Sequence, residues 1–546
     1  MCVGAPTWPG FALVSDVMAS SNRDTAFFGH PIGLSTLFFT EMWERFSYYG
    51  GRALLMIYMT EVLSGGGRGM TRTDAGLVLS VYLSAVYLLS LPGGWIADRF
   101  IGQRAAVVLG GIVISAGNAM LAMPVDSMFY PGLAMIALGT GLLKPNASTV
   151  VGQLYGAKDN RRDSGYTIYY MGINLGAMIA PLVCGFLAQS ASFRAFLRGH
   201  GIDPNWCWHF GFGAASLGMI VGLIQFFLTR HTLGAAGKDP HIPSDPARAA
   251  FDRKVLVAIL GVLAAVLGLF AVASFTDGLA IGLGTVSDLL GIGLVLGSLA
   301  VFYGLYTSAH DRDEKRRVIA MVPLFIGGVA FFGVLEQAST TLSDFAERLT
   351  SRSLFGFTIE ASYYQSVNSI FIIGLAIAFA WIWFRLARAG KEPSSVTKFA
   401  IGMGLVAVSF VVMLPTLGTV MHGGTVSGGY LIVLYFLQTC AELLISPVGM
   451  SSMSKLAPPR LAGMVMGTWF LGTADGNYLA GRAAGLSERY GYDFLFYFLI
   501  VASLIVAVAL LVVSPMIRRM MDSEPAAPSG PSELAAARVI NSTDAP

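Results

Sequence analysis

The chain has 546 residues, of which 55% are hydrophobic and only 12% charged. Soluble domains carry roughly 25% charged residues, so this composition excludes an ordinary soluble protein. A net charge of +3 gives no ground to expect a nucleic-acid partner.

The 65 glycines suit close helix packing in a bilayer. The four cysteines, Cys2, Cys184, Cys207 and Cys440, are scattered and carry no metal-ligand spacing. They read as small buried residues, and no metal or cofactor is expected. The first 24 residues lack a basic start followed by an apolar run, so no cleavable signal is expected. Met18 could equally be the start, because patterned sequence begins near Phe27.

Spanning a bilayer takes about 20 apolar residues. Fourteen runs qualify, at 32–63, 74–98, 105–123, 130–154, 164–189, 208–229, 255–275, 288–308, 318–343, 361–386, 398–415, 428–456, 461–486 and 493–517. The first is the most informative. It holds Glu41, Glu44, Arg45 and Arg52, although a charge at bilayer depth costs at least about 2.5–3.5 kcal/mol. At about 100° per residue, Glu41, Arg45, Tyr48 and Arg52 share a narrow arc with Glu44 at its edge. One face of this helix is therefore wet and charged.

Further charges follow within or at the ends of later spans: Lys144, Glu336, Asp344, Glu442, Asp475 and Arg482. They come from both halves of the chain, which argues for a cavity between two bundles. Spans 255–275 and 288–308 are nearly free of ionisable groups and follow the hydrophilic segment His231–Lys254. They read as an inserted pair that faces lipid and has nothing to bind. The fold expected is an all-α membrane protein of fourteen helices, two six-helix bundles plus this insertion. Its limits are an N-terminal segment at 1–30, a first bundle at 31–230, a linker and inserted helices at 231–316, a second bundle at 317–521 and a disordered tail at 522–546. Basic residues gather in alternate connections, as at Lys158-Asp159-Asn160-Arg161-Arg162 and across Arg312–Arg317. By the positive-inside rule both termini are cytoplasmic.

At this point the motifs converge. Glu41-x-x-Glu44-Arg45-Phe46-x-Tyr48-Tyr49-Gly50 resembles the first-helix signature of the proton-dependent oligopeptide transporters of the major facilitator superfamily. Gly93-Gly94-Trp95-Ile96-Ala97-Asp98-Arg99 with Gly102-Gln103-Arg104 looks like the superfamily's loop between helices two and three. Lys144-Pro145-Asn146, Tyr170-Met171-Gly172-Ile173-Asn174-Leu175-Gly176, Phe332 to Gln337, Gln365-Ser366-Val367-Asn368 and Glu442 to Gly449 match later signatures in order. The resemblance runs from Phe27 to Met521. Ser369 and Val396 stand where the family often has Pro, and Asp475 near Trp469 is an added acid that could alter proton stoichiometry or side-chain preference.

The resemblance implies proton-coupled uptake of di- and tripeptides by alternating access in a bacterial inner membrane, by a chain that functions as a monomer among membrane lipids. It carries Glu442 to the substrate amine, with Asn174 and Asn368 beside it, and Arg52 and Lys144 to the carboxylate. It carries Tyr48, Tyr87 and Trp469 into the side-chain pocket; Tyr49 and Tyr82 are further aromatic candidates. Glu41, Glu44, Arg45, Lys144 and Glu336 become the proton-coupling set, with protons as the coupling ion. Asp98, Arg99 and Arg104 become a cytoplasmic gating latch. Two other readings compete. The same scaffold could carry another solute such as nitrate or a drug, although an acid together with bases favours a zwitterion. An intramembrane enzyme would need a nucleophile–base or metal set, and the seven histidines sit mostly in loops or at span ends.

Overall fold

The structure, a computed structural model, describes residues 24–521 apart from 157–158, 160, 241–244, 276–281, 355 and 457–460. The backbone alone is described at 163, 248, 262–275, 454–455, 462–463, 466 and 518–521. Met1, Cys2, Met18, Lys158, Asn160, His241 and the expected tail at 522–546 lie outside the described residues.

The first half is built from α1 (Gly33–Thr60), α2 (Arg72–Leu88), α3 (Ser90–Ile96), α4 (Gln103–Leu121), α5 (Phe129–Gln153), α6 (Arg162–Gln189), α7 (Ala191–Gly199) and α8 (Cys207–Thr229). Next come α9 (Pro246–Phe275) and α10 (Leu283–Ser308). The second half holds α11 (Arg312–Leu335), α12 (Thr341–Leu349), α13 (Tyr364–Arg388), α14 (Ser395–Val411), α15 (Leu414–Met421), α16 (Gly429–Leu456) and α17 (Ala462–Met521). Gly491, at φ +88°, breaks α17 into the last two expected spans. Local chemistry sets several boundaries. Thr71 accepts a hydrogen bond from the Asp74 amide at the start of α2, Asp311 from Glu314 at α11, and Ser394 from Thr397 at α14.

Small residues bring the helices close. A Cβ on Gly110 or Gly117 of α4 would press on the carbonyls of Gly139 or Gly132 of α5, at 2.6 and 2.7 Å. Two glycine pairs, each seven residues apart, therefore let two antiparallel helices approach backbone to backbone. The halves meet in the same way along α2 and α17, where Gly76 faces Gly481 and Ser84 donates to the Ala474 carbonyl at 2.9 Å.

The second inserted helix departs from expectation. One face of α10 docks on the protein. Ser298 donates to Asp475 at 2.8 Å, Asp288 pairs with Arg482 at 2.9 Å, and Leu294 packs with Leu471 and Ala474. The other face exposes Leu289, Ile292, Val295, Leu296 and Leu299. A helix poor in charge can still dock through one serine, one aspartate and an apolar contact, which hydropathy does not reveal. Asp475 accordingly turns toward α10. Six residues separate it from Trp469, about 240° around the helix, so the two occupy different faces.

Candidate functional site

The charged stripe of α1 is buried in full: Glu41, Glu44, Arg45 and Arg52 are each at most 6% exposed. Arg45 pairs with Glu41 at 3.1 Å and with Glu44. Tyr169 on α6 donates its hydroxyl to Glu41 at 2.6 Å. Neither oxygen of Glu44 accepts an aligned hydrogen bond, and Arg45 Nη2 has no acceptor. Two carboxylates share one guanidinium and the cluster is under-bonded by geometry, so its pairings can be exchanged for others.

Seven residues further along α1, Arg52 forms an ion pair with Glu336, buried at the turn that follows α11. Tyr48 and Tyr49 offer their rings to this guanidinium at 5.9 and 5.6 Å. This pair joins the two halves.

Lys144 depends on the motif that follows it. Pro145 cannot donate to the Gly141 carbonyl, and Gly93 of α3 sits against that carbonyl. Asn146 donates to Leu142 O at 2.6 Å and to Gly93 O at 3.4 Å. Lys-Pro-Asn thus locks α5 to α3 and fixes the lysine's direction. Its ammonium lies 4.1 Å from the Tyr87 ring centroid, within electrostatic reach of Glu44 and Glu41. Among the described residues it has no ion pair.

In the second half, Glu442 of α16 accepts a hydrogen bond from Asn368 of α13 at 2.9 Å. The same Asn368 nitrogen lies 3.1 Å from Thr439. Among the described residues Glu442 has no cationic partner at ion-pair distance. Tyr87 and Tyr170 of the first half both sense its charge. Tyr87 thus contacts the Lys144 ammonium and lies within electrostatic reach of Glu442 in the other half.

Other expected residues take different places. Trp469 is buried, edge-on to Phe332 at 5.8 Å and Phe399 at 6.3 Å, within the second half. Asn174 donates to Tyr170 O of its own helix at 3.0 Å. The Asp98–Arg104 loop engages the connection after α8. Arg104 donates to the carbonyls of Ala236 and Gly234, both at 2.6 Å, Arg99 lies 3.8 Å from Asp252, and Asp98 accepts from Gln103 at 2.7 Å.

One cluster carried no role in the sequence reading. Asp344, buried on α12, holds Arg72 of α2 at 2.6 Å and Arg348 at 2.7 Å, and accepts from the Tyr492 hydroxyl. Arg348 also donates to the Thr60 carbonyl at 2.9 Å. Thr73 at the start of α2 donates its amide to Glu488 at 2.7 Å. The halves are therefore tied at the Thr60 end of α1. The signal available in sequence was an acid at the end of a span, which requires a partner without naming it.

Two half-molecules of spanning helices, with charges of opposite sign set across their junction, define a membrane transporter of the major facilitator type. The sequence model of the POT family matches residues 104–494. An "Uncharacterized transporter YclF" of Bacillus subtilis is 40% identical over 517 residues, covering 93% of this chain and 99% of its own length. A "Di-/tripeptide transporter" of Lactococcus lactis subsp. cremoris is 34% identical, covering 92% of this chain and 98% of its own. The crystal structure of a point mutant of the peptide transporter POT in complex with alafosfalin superposes with a TM-score of 0.82 at 37% identity, covering 93% of this chain and 99% of that one. The chain belongs to the POT family.

Proposed function

We propose that this protein is a proton-coupled symporter that takes up di- and tripeptides across a bacterial inner membrane by alternating access, with both termini cytoplasmic. The observation that carries the reading is the pair of lone charges. Lys144 and Glu442 stand on opposite halves without ion partners among the described residues, each within reach of Tyr87. A buried charge without a partner is costly, and a zwitterionic peptide supplies both partners at once. Nitrate would leave Glu442 without a counter-charge. The Lactococcus relative's name and the bound alafosfalin of the structural neighbour support the peptide class.

In this reading Glu442, held by Asn368, meets the peptide amine, and Lys144 with Arg52 meets the carboxylate. Asn174, which here donates to its own helix, joins them in this reading. Tyr48, Tyr87 and Trp469 shape the side-chain pocket. Trp469 would act from the buried edge of that pocket, since its ring packs on Phe332. Glu41, Glu44 and Arg45 exchange partners as a proton arrives, with Lys144 as the alternative base. Arg52–Glu336 and Asp344 with its arginines close the Thr60 end, periplasmic in this orientation. The units that rock are 31–230 and 317–521, with 231–316 between them. Asp98, Arg99 and Arg104 brace the cytoplasmic end through the connection after α8. The protein works as a monomer without catalysis, and protons are its coupling ion.

Dipeptide uptake into proteoliposomes tests the reading. Accumulation should need an inward proton gradient; accumulation at the same level without one would refute coupling.

A further inference from the structure

A groove of about 630 Å³ runs between α4 and α8 at the end where α8 finishes, away from Lys144 and Glu442. Its mouth carries Arg104, Arg230, His231 and Lys238. Its wall carries Leu109 and Ile112 of α4 and Phe227 of α8, which are 46%, 49% and 44% exposed. From this geometry we propose that the groove binds the headgroup of an anionic phospholipid, with the start of its acyl chains along the apolar wall.

Three observations lead there. The first is charge. Arg230 and Lys238 are exposed and have no acidic partner at ion-pair distance among the described residues, and Arg230 instead covers the Phe227 ring at 5.2 Å. Arg104 spends two donors on the Ala236 and Gly234 carbonyls and retains others. Asp239 is the acid that interacts with Arg104, and it makes no ion pair with it. The second is order along the helices. Arg104 opens α4, and Leu109 and Ile112 lie about 7–12 Å deeper at roughly 1.5 Å per residue. Arg230 follows the end of α8, with Phe227 one turn deeper. Cations at the helix ends and apolar side chains inward match the order of a phospholipid, headgroup then chain. A soluble anion has no use for the apolar wall. The third is setting, since basic pockets between spanning helices on the cytoplasmic side suit anionic headgroups.

Occupancy would bear on movement. The 230–238 segment is stapled to the rest of the half by Gln153, which accepts from the Gly237 amide at 2.6 Å, and by the Arg104 amide, which donates to Gly237 O at 2.9 Å. A phosphate shared by Arg230, Lys238 and Arg104 would clamp α4, α8 and the Asp98–Arg104 loop as one piece.

Native mass spectrometry of the purified full chain tests this with dioleoyl phosphatidylglycerol, dioleoyl phosphatidylcholine and inorganic phosphate as probes. The wild type should retain phosphatidylglycerol and not phosphatidylcholine. The double variant Arg230→Gln, Lys238→Gln should weaken retention about 30-fold, the equivalent of about 2 kcal/mol at about 1 kcal/mol for each basic residue. Arg230→Lys should retain lipid, which separates loss of charge from loss of fold. Equal retention by wild type and double variant would overturn the proposal. Displacement of the lipid by millimolar inorganic phosphate would overturn it as well, assigning the site to free phosphate.

Discussion

The buried charges of α1 and the pair Lys144–Glu442 carry the same kinds of group under opposite conditions. On α1, Arg45 sits against two carboxylates of its own helix, and Arg52 against Glu336. Among the described residues Lys144 meets an aromatic face and no carboxylate at ion-pair distance, and Glu442 is held by an amide with no cation at ion-pair distance. Paired charges can change partners without a ligand, and that suits a proton switch. Lone charges are stabilised fully only when something else arrives, and that suits a substrate site. Removing Lys144 or Glu442 should therefore abolish recognition, whereas removing Glu44 from its pairing should change coupling.

The largest effect is expected at Glu442. Glu442→Gln keeps the shape and removes the counter-charge of the peptide amine. Losing one partner of a buried ion pair costs roughly 3–5 kcal/mol, so uptake should fall by about 100-fold or more. Radiolabelled dipeptide uptake reads it, and a loss below tenfold would move the amine site elsewhere. Lys144→Ala should come close behind, with uptake gone while the protein still inserts and purifies. Parallel loss of expression and uptake would make Lys144 a structural residue.

Glu44→Gln breaks the comparison at the paired side. Gln cannot release a proton, so proton-driven accumulation should vanish while exchange of labelled for unlabelled peptide continues. Wild-type accumulation by this variant would remove Glu44 from the coupling set and make Glu336 the first candidate.

Asp344→Asn strips two arginines of their common partner. The Thr60 end should open more often, and an impermeant thiol reagent should label a cysteine placed at Ser339 severalfold faster. An unchanged rate would show that Asp344 is not needed to keep that end closed. The smallest effect belongs to Ser298→Ala, which removes the hydrogen bond docking α10. Stability should fall by about 1 kcal/mol in thermal unfolding with peptide uptake intact. A loss of uptake would instead tie the inserted helix to transport.

What the sequence made legible follows from cost. Glu41, Glu44 and Arg45 cannot hide in an apolar run, so their burial and mutual pairing could be expected from spacing along one helix. Gly110 and Gly117, or Ser298, show the limit. Each is an ordinary residue until a partner from another span meets it. Asp344 was visible as an acid at a span end, but Arg72 lies in a connection where an arginine raises no question. Trp469 was placed by resemblance toward the pocket, and its packing on Phe332 and Phe399 depends on three helices at once. Hydropathy reports what each residue pays to be buried; it carries no record of which residue it meets.

The most direct test measures which end of the peptide each lone charge reads. Binding by competition is compared for alanyl-alanine, its N-acetyl form and its C-terminal amide, in wild type, Glu442→Gln and Lys144→Ala. Wild type should discriminate against both blocked forms. Glu442→Gln should lose discrimination against the acetylated peptide and keep it against the amide, and Lys144→Ala should do the reverse. If both variants still discriminate against both blocked forms as wild type does, Lys144 and Glu442 do not read the peptide ends, and the account fails at its centre.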